Sequence, residues 1–432
     1  VKLQLSTVVA VLGIVTAGSA CPETLEDAWR LAREQDQVLA AKVFDVAAAR
    51  EGERAASAGR WPSIKASGGY TRFATAPAFD LSGPSFTFQS APLFDQDDYW
   101  TGGVHVSVPI YTGGQISAGI DAARSTVAGA EAGERSTWSA LKLEVARNYV
   151  EVLRARRALR SAETSATSLT AHETDVQQMV ERELVPTSDL LAARVALANA
   201  GQTRVRAAHA VQLAYAEYNR RLGQPLDRAP ELEERLPTDP ALAAPPPLDE
   251  LIGRALAARS ELEASAARAE ALDSQSRAEL GALRPHFALT GGYSYLENEF
   301  LDREDFSMVG VGVQWSLFDG GQKRHRAAEL RNASRAARHE HEDLRSLIEL
   351  EVRASWLDVQ AARARLNTSR EAIAQADENL RITRELYGAD LGTNTQVLDA
   401  VALWVTAANN HDDAVLDESL ALLRLAHAVG AL

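Results

Sequence analysis

The sequence predicts a mainly α-helical chain that carries transmembrane β-hairpins and uses one unit twice: helix, two-stranded hairpin, long helix, helix. Three observations carry that prediction. The chain matches itself at fixed spacings. Each half holds two runs of about ten residues, and in the second of each pair apolar and polar side chains alternate, the period of a strand. Each pair of runs leads through Gly-Gly into a long stretch without proline, where apolar residues recur at helical spacing.

The repeat is read by aligning Gly113-Gly114-Gln115 with Gly320-Gly321-Gln322, 207 positions later. At that offset Leu143-Glu144-Val145 meets Leu350-Glu351-Val352, Tyr149 meets Trp356, and Leu184 meets Leu391. The front of each half matches at an offset of 223: Trp61-Pro62 with Arg284-Pro285, and Gly68-Gly69-Tyr70 with Gly291-Gly292-Tyr293. The offsets differ by 16, so the first half holds 16 extra residues in the polar stretch 74–98, a loop that tolerates length. The expected organisation is a signal peptide (1–20), a first repeat (21–223), a proline-rich linker (224–247) and a second repeat (248–432).

Bulk properties narrow the class. A chain of 432 residues with 46% hydrophobic residues and a mean hydropathy of -0.19 is no helical membrane bundle, since each span needs about 20 mostly apolar residues. The net charge of -14 argues against nucleic acid or anionic lipid as partner.

In chain order, Lys2, the apolar stretch 3–15 and Ala17-Gly18-Ser19-Ala20 read as an export signal. Cys21, the only cysteine, follows directly and excludes an internal disulfide. Two readings of it stand: the lipidated first residue of a bacterial lipoprotein, or a residue beside an ordinary cleavage site. A helix over 24–60 follows, capped by Thr24 with Asp27 three residues on, and ended by Trp61-Pro62. The first hairpin is expected over 63–110. Trp100, Val104, Val106 and Val108 share one face; Thr101, Gly103, His105 and Ser107 share the other. The second is expected over 286–318, with Val309, Val311, Val313, Trp315 and Leu317 on one face. Strands of this length suit a tilted crossing of a bilayer.

Pro62, Pro285 and the pairs Gly113-Gly114 and Gly320-Gly321 mark the junctions of strand and helix, glycine permitting a sharp turn. From 115 to about 183 nothing breaks a helix, which at 1.5 Å per residue reaches about 100 Å. Pro186-Thr187-Ser188 and Gly392-Thr393-Asn394-Thr395 turn the chain into a returning helix. Four strands cannot close a barrel, and open edges in lipid leave backbone groups unsatisfied. Two copies would supply 8 strands and three would supply 12; the small or polar faces (Gly103, Ser107, Gly310, Gly312) fit an open lumen and hence the larger barrel.

Several segments resemble the TolC-type outer-membrane efflux proteins: Thr24-Leu25-Glu26-Asp27-Ala28-Trp29, Trp61-Pro62, Val108-Pro109-Ile110-Tyr111-Thr112-Gly113-Gly114 and its copy at 315–321. So do Leu184-Val185-Pro186-Thr187-Ser188-Asp189-Leu190-Leu191 and Gly392-Thr393-Asn394-Thr395-Gln396-Val397-Leu398-Asp399-Ala400. The resemblance covers essentially all of the chain after the signal. It implies a homotrimer with a 12-stranded β-barrel in the outer membrane of a Gram-negative bacterium, continued by an α-helical barrel through the periplasm. It also implies docking to an inner-membrane pump through a periplasmic adaptor, and passive export of small molecules or metal ions. The family commonly places acids at the periplasmic constriction. Asp399 matches one of them, whereas the position three residues earlier is Gln396; Asp189 is read either as a gate acid or as a helix-start residue.

A type I protein-secretion duct and a periplasmic coiled-coil adaptor are the alternative readings. An enzyme is not expected. His339 and His341 lie two apart, on different helix faces; no phosphate loop, nucleophile elbow or dinucleotide fingerprint occurs, and no cofactor or resident metal is expected.

Overall fold

The computed structural model describes residues 22–75, 78–79, 91–92, 98–234, 236, 246–298 and 302–432. Cys21 and the expected signal lie outside them. The chain divides into two compact units, one of residues 1–36, 140–248 and 353–432, the other of residues 37–139 and 249–352.

The second of these units holds the strands. Helix α2 (Gln37–Ala58) leads into β1 (Ser63–Arg72), a short pair β2 (Ala78–Phe79) and β3 (Ala91–Pro92), and β4 (Asp98–Tyr111). Helix α3 (Gln115–Glu181) starts here, and its residues to 139 belong to this unit. After α6 (Ser260–Gly281) come β5 (His286–Leu296), β6 (Asp305–Gln314) and the first part of α7 (Gln322–Gly388). The four long strands form one antiparallel sheet in the order β1-β4-β5-β6, so the two repeats meet at the β4–β5 pairing. Small residues on α6 let α7 approach closely: the buried Ser276 donates through Oγ to the Ala327 carbonyl at 2.8 Å, and buried Ser334 does so to Ala269 at 2.9 Å.

The other unit holds α1 (Leu25–Gln35), the remainder of α3, α4 (Thr187–Arg221), the rest of α7 and α8 (Asn394–Ala428). The helix α5 (Leu248–Ala258) lies across the division of the chain at residue 248. Thr24 opens α1 with a reciprocal cap: its Oγ1 accepts from Asp27 N at 3.1 Å, while its N–H donates to the Asp27 carboxylate at 3.3 Å. That hydroxyl, with the Arg30 charge a lesser factor, holds the Asp27 carboxyl below its ordinary value. Glu23 is fastened on every side. Tyr218 donates to its carboxylate at 2.6 Å and Arg228 pairs with it at 3.0 Å. Its backbone exchanges bonds with Glu231 and Glu233. Tyr149 lies 2.8 Å from the carbonyls of both Glu23 and Glu233, and its single proton serves one at a time. Burial pushes both phenols far up. The proline-rich segment, as far as residue 234, is thus irregular backbone tied to this unit.

The element lengths repeat. α3 and α7 have 67 residues each and start 207 positions apart; α4 and α8 have 35 each at the same spacing. The opening helix over 24–60 differs from expectation, since Asp36 (φ -71°, ψ 119°) divides it into α1 and α2. Arg259 (φ -72°, ψ 115°), its image 223 positions later, divides α5 from α6 in the same way. No glycine or proline marks either break. Charge holds both: Asp36 faces Arg221 at 3.8 Å, and Arg259 binds Glu261 and Glu351 at 3.0 Å each. The second hairpin is also shorter than 286–318. Gln314 stands opposite His286, the first residue of β5, so residues 315–318 have no partner on that side and leave the strand. In the stretch 74–98, read as loop, Ala78 and Phe79 pair with Pro92 and Ala91, and β4 begins at Asp98.

Candidate functional site: the sheet faces and the helix turns

Cross-strand register sorts the sheet into two faces. Val104 pairs with Tyr293, Val108 with Leu289, Leu289 with Val311 and Phe287 with Val313, which places many of the apolar and aromatic residues of β4, β5 and β6 on one face. Tyr70 and Trp100, also paired, pack with ring centroids 5.1 Å apart. The other face carries Ser67 opposite Gly103, Lys65 opposite His105, His105 opposite Gly292, and Gly292 opposite Met308. One face is largely apolar, and the other carries most of the small and polar side chains beside Tyr99, Leu296, Phe306 and Met308. Among the described residues both outer strands, β1 and β6, have one side without a strand neighbour. Large apolar residues beside those edges stand open: Trp61 is 74% exposed, Leu317 78% and Phe318 90%. Among the described residues no helix is long and apolar enough to cross a membrane.

The junction residues occupy the strand ends. Gly113 and Gly114 have φ of 63° and 88°, Gly320 and Gly321 67° and 86°, a conformation that side chains resist. Equal backbones have unequal surroundings. A Cβ on Gly113 would meet the Gly281 oxygen at 2.4 Å and Arg284 Cβ at 2.6 Å, whereas one on Gly320 would meet nothing within 4 Å. Arg284 also donates to the Gly113 carbonyl at 3.0 Å. Pro62 and Pro285 directly precede β1 and β5, where a missing N–H removes no ladder bond.

The helix turns lie in the other unit and share one design. Glu183 and Asp390, 207 positions apart, have positive φ (60° and 65°). Leu184 N–H donates to the Met179 carbonyl and Leu391 N–H to that of Leu386, both at 2.9 Å, which closes each helix end. Asn394 joins the two turns. Its Nδ2 donates to the Asp189 carbonyl at 3.0 Å and its Oδ1 lies 2.7 Å from His172 Nε2. His172 packs 5.2 Å from Tyr387, and Val176, Leu190, Ala193 and Val397 bury the tie. Burial pushes the Tyr387 phenol up, with Asp189 nearby adding to the effect. A groove of about 950 Å³ runs alongside, lined by residues that include Arg160, Ser168, His172, Arg384 and Tyr387.

The three residues singled out from the sequence for the constriction sit differently from one another. Asp399 is exposed on α8. Gln396 closes the cap of α8, where Thr393 N–H donates to its Oε1 at 2.9 Å and its own N–H donates to Thr393 Oγ1 at 3.3 Å. Asp189 is partly buried in the first turn of α4 and engages Asn394 through its backbone. The His172–Asn394–Tyr387 tie was not legible in the sequence. A lone histidine inside a helix carries no spacing signal, and only Asn394 stood in a segment already marked as a turn. Among the described residues no cluster of three His, Cys, Asp or Glu side chains could hold a metal ion.

The chain was compared with known proteins. The outer membrane protein TolC of Vibrio cholerae is 25% identical over 443 residues, spanning 100% of this chain and 96% of TolC. The crystal structure of CusC superposes with a TM-score of 0.81 at 16% identity, covering 95% of this chain and 92% of CusC. The outer membrane protein VceC of Vibrio cholerae superposes at 0.79 with 20% identity, covering 94% and 96%. The family described as Outer membrane efflux protein matches residues 28–224 and 251–431, one stretch in each repeat. On that match over most of its length, the chain belongs to the outer membrane efflux protein family.

Proposed function

We propose that three copies of this chain close into a 12-stranded barrel and form the passive outlet of a tripartite efflux system. In this reading an inner-membrane pump passes small molecules to the duct through a periplasmic adaptor, and the energy for transport comes from the pump. The observation that carries the proposal is the four-stranded sheet, with one apolar face, one polar face and two open edges. In lipid each unpaired backbone group costs several kcal/mol, and only closure removes the edges. The duplication supplies the pairing. β4 and β5 are the images of β6 and β1, so the β4–β5 register transfers to β6 and the β1 of the next copy. Val104 opposite Tyr293 becomes Val311 opposite Tyr70, and Tyr111 opposite Phe287 becomes Phe318 opposite Ile64. That pairing would cover Leu317 and Phe318 and extend β6 to the length of β4.

Asp399 is our choice for the constriction, because it is exposed and its carboxylate has no structural task in α8. Gln396 and Asp189 are assigned to holding the turns. Leu184 and Leu391, exposed at matching places in the two turns, suit contact with an adaptor. Lipidation of Cys21 would add a second anchor to the barrel. The test is purification in detergent followed by light scattering and planar-bilayer recording. A trimer with single-channel conductance is expected, and a monomer without conductance would refute the proposal.

A further inference from the structure

We infer that the polar face of the sheet carries an anion-binding belt, centred on Lys65 and His105, that receives cargo bearing a carboxylate, sulfonate or phosphate group. This rests on the trimeric duct proposed above, in which that face lines the lumen. Following the register across all four strands, the face contains Lys65, Ser67 and Thr71 on β1; Thr101, His105 and Ser107 on β4. It continues through Thr290 and Ser294 on β5 to Met308 and Gln314 on β6, with His286 at the junction end; Tyr99, Leu296 and Phe306 share the face toward the far end of the strands. No Asp or Glu occurs on it within the paired registers. In a chain with a formal charge of -14, a face with a lysine, two histidines and hydroxyls but no carboxylate is a local reversal of sign. The sheet's acids Asp98 and Asp305 lie at the far end of the strands and in the register of the apolar face.

Local construction sets the belt's geometry. Lys65 and His105 are direct cross-strand partners, and both are exposed. The imidazole does not project freely. A Cβ on Gly103 would come within 3.0 Å of its Cε1, and one on Gly292 within 3.1 Å of its Cδ2. The ring therefore lies flat against the wall over two glycines, on the side away from β1. Lys65 is left as the group that reaches into the lumen. Twelve strands spaced about 4.8 Å apart and tilted about 45° close to a wall roughly 25 Å across. A lysine stem reaches about 6 Å, which brings three ammonium groups to roughly 7 Å from the axis. The Debye length at physiological ionic strength is about 8 Å, so the three fields overlap across the lumen. A charged, low-dielectric channel of this kind concentrates counter-ions by about tenfold or more.

The test uses full-length trimer in planar bilayers, with inositol hexakisphosphate added on the barrel side as the probe. Wild-type channels should show voltage-dependent block. In Lys65→Gln the blocking constant should weaken by about tenfold or more, and Lys65→Arg should retain block. Lys65 is exposed, so these variants should fold, assemble and still form conducting channels, which separates loss of block from loss of the duct. Equal block in wild type and Lys65→Gln, or no block in a conducting wild-type channel, would overturn the belt and leave the duct standing. Absence of conductance in every variant, wild type included, would overturn the duct and the belt with it.

Discussion

Replacing the junction glycines separates folding of the chain from its assembly. Gly113 and Gly320 share a left-handed backbone, with φ of 63° and 67°. Alanine at either position meets a strain of about 1–2 kcal/mol, offset by about 0.4–1 kcal/mol from a stiffer unfolded chain. For Gly320→Ala in a single chain nothing further is added, because nothing lies within 4 Å of the new methyl. Gly113→Ala drives its methyl to 2.4 Å from a backbone oxygen and 2.6 Å from Arg284 Cβ. Overpacking of this kind costs about 1–3 kcal/mol more, and a backbone carbonyl in a helix end has little freedom to retreat. The net expectation is about 0–1.6 kcal/mol for Gly320→Ala and about 1–4.6 kcal/mol for Gly113→Ala.

In the proposed trimer the repeat offsets carry Gly281 and Arg284 onto Ala58 and Trp61 of the neighbouring copy. The same methyl on Gly320 then meets a neighbour three times over. At about 1–3 kcal/mol per interface the assembly constant falls a hundredfold or more. Urea unfolding followed by circular dichroism reads the first effect, and light scattering across a dilution series reads the second. Gly113→Ala should lose folded protein, whereas Gly320→Ala should fold and fail to assemble. A Gly320→Ala protein that trimerises like wild type, or a Gly113→Ala protein as stable as Gly320→Ala, would refute the reasoning.

Three further outcomes are expected. Cysteines at Val311 and Tyr70 should oxidise to link copies into a covalent trimer on a denaturing gel, and a gel showing monomer alone would contradict the transferred register. Asn394→Ala strands a buried histidine nitrogen and the Asp189 carbonyl, for a loss of about 2–3 kcal/mol; hydrogen exchange should rise in both turns together, and a rise in one turn alone would argue against the tie. The Asp27 carboxyl is held below its ordinary value, so its support of α1 is complete above about pH 4 and fades as pH falls through the lowered value. Hydrogen exchange over residues 25–35, corrected for its intrinsic pH dependence, should show that acid weakening in wild type and not in Asp27→Asn.

Efflux proteins of this family work in the outer membrane of Gram-negative bacteria, and the build of this chain is legible in its residues to an unusual depth. Periodicity of two marked the long strands, and spacing of 3.6 marked the long helices, because each depends only on which neighbours share a face. Self-alignment gave the duplication, since both copies must bury the same stripe: Val145, Tyr149 and Val152 are buried, as are Val352 and Val359. Gly113-Gly114 and Gly320-Gly321 were readable as turns because only glycine meets no penalty at those dihedrals. The tertiary structure decided the rest. The breaks at Asp36 and Arg259 carry no local signal, being held by ion pairs to residues far along the chain. Strand order, and with it the facing of Lys65 and His105, comes from pairings between segments that no period relates. Asn394 became a tie only once folding brought His172 and Asp189 within hydrogen-bond reach, and reach of that kind is a property of three dimensions.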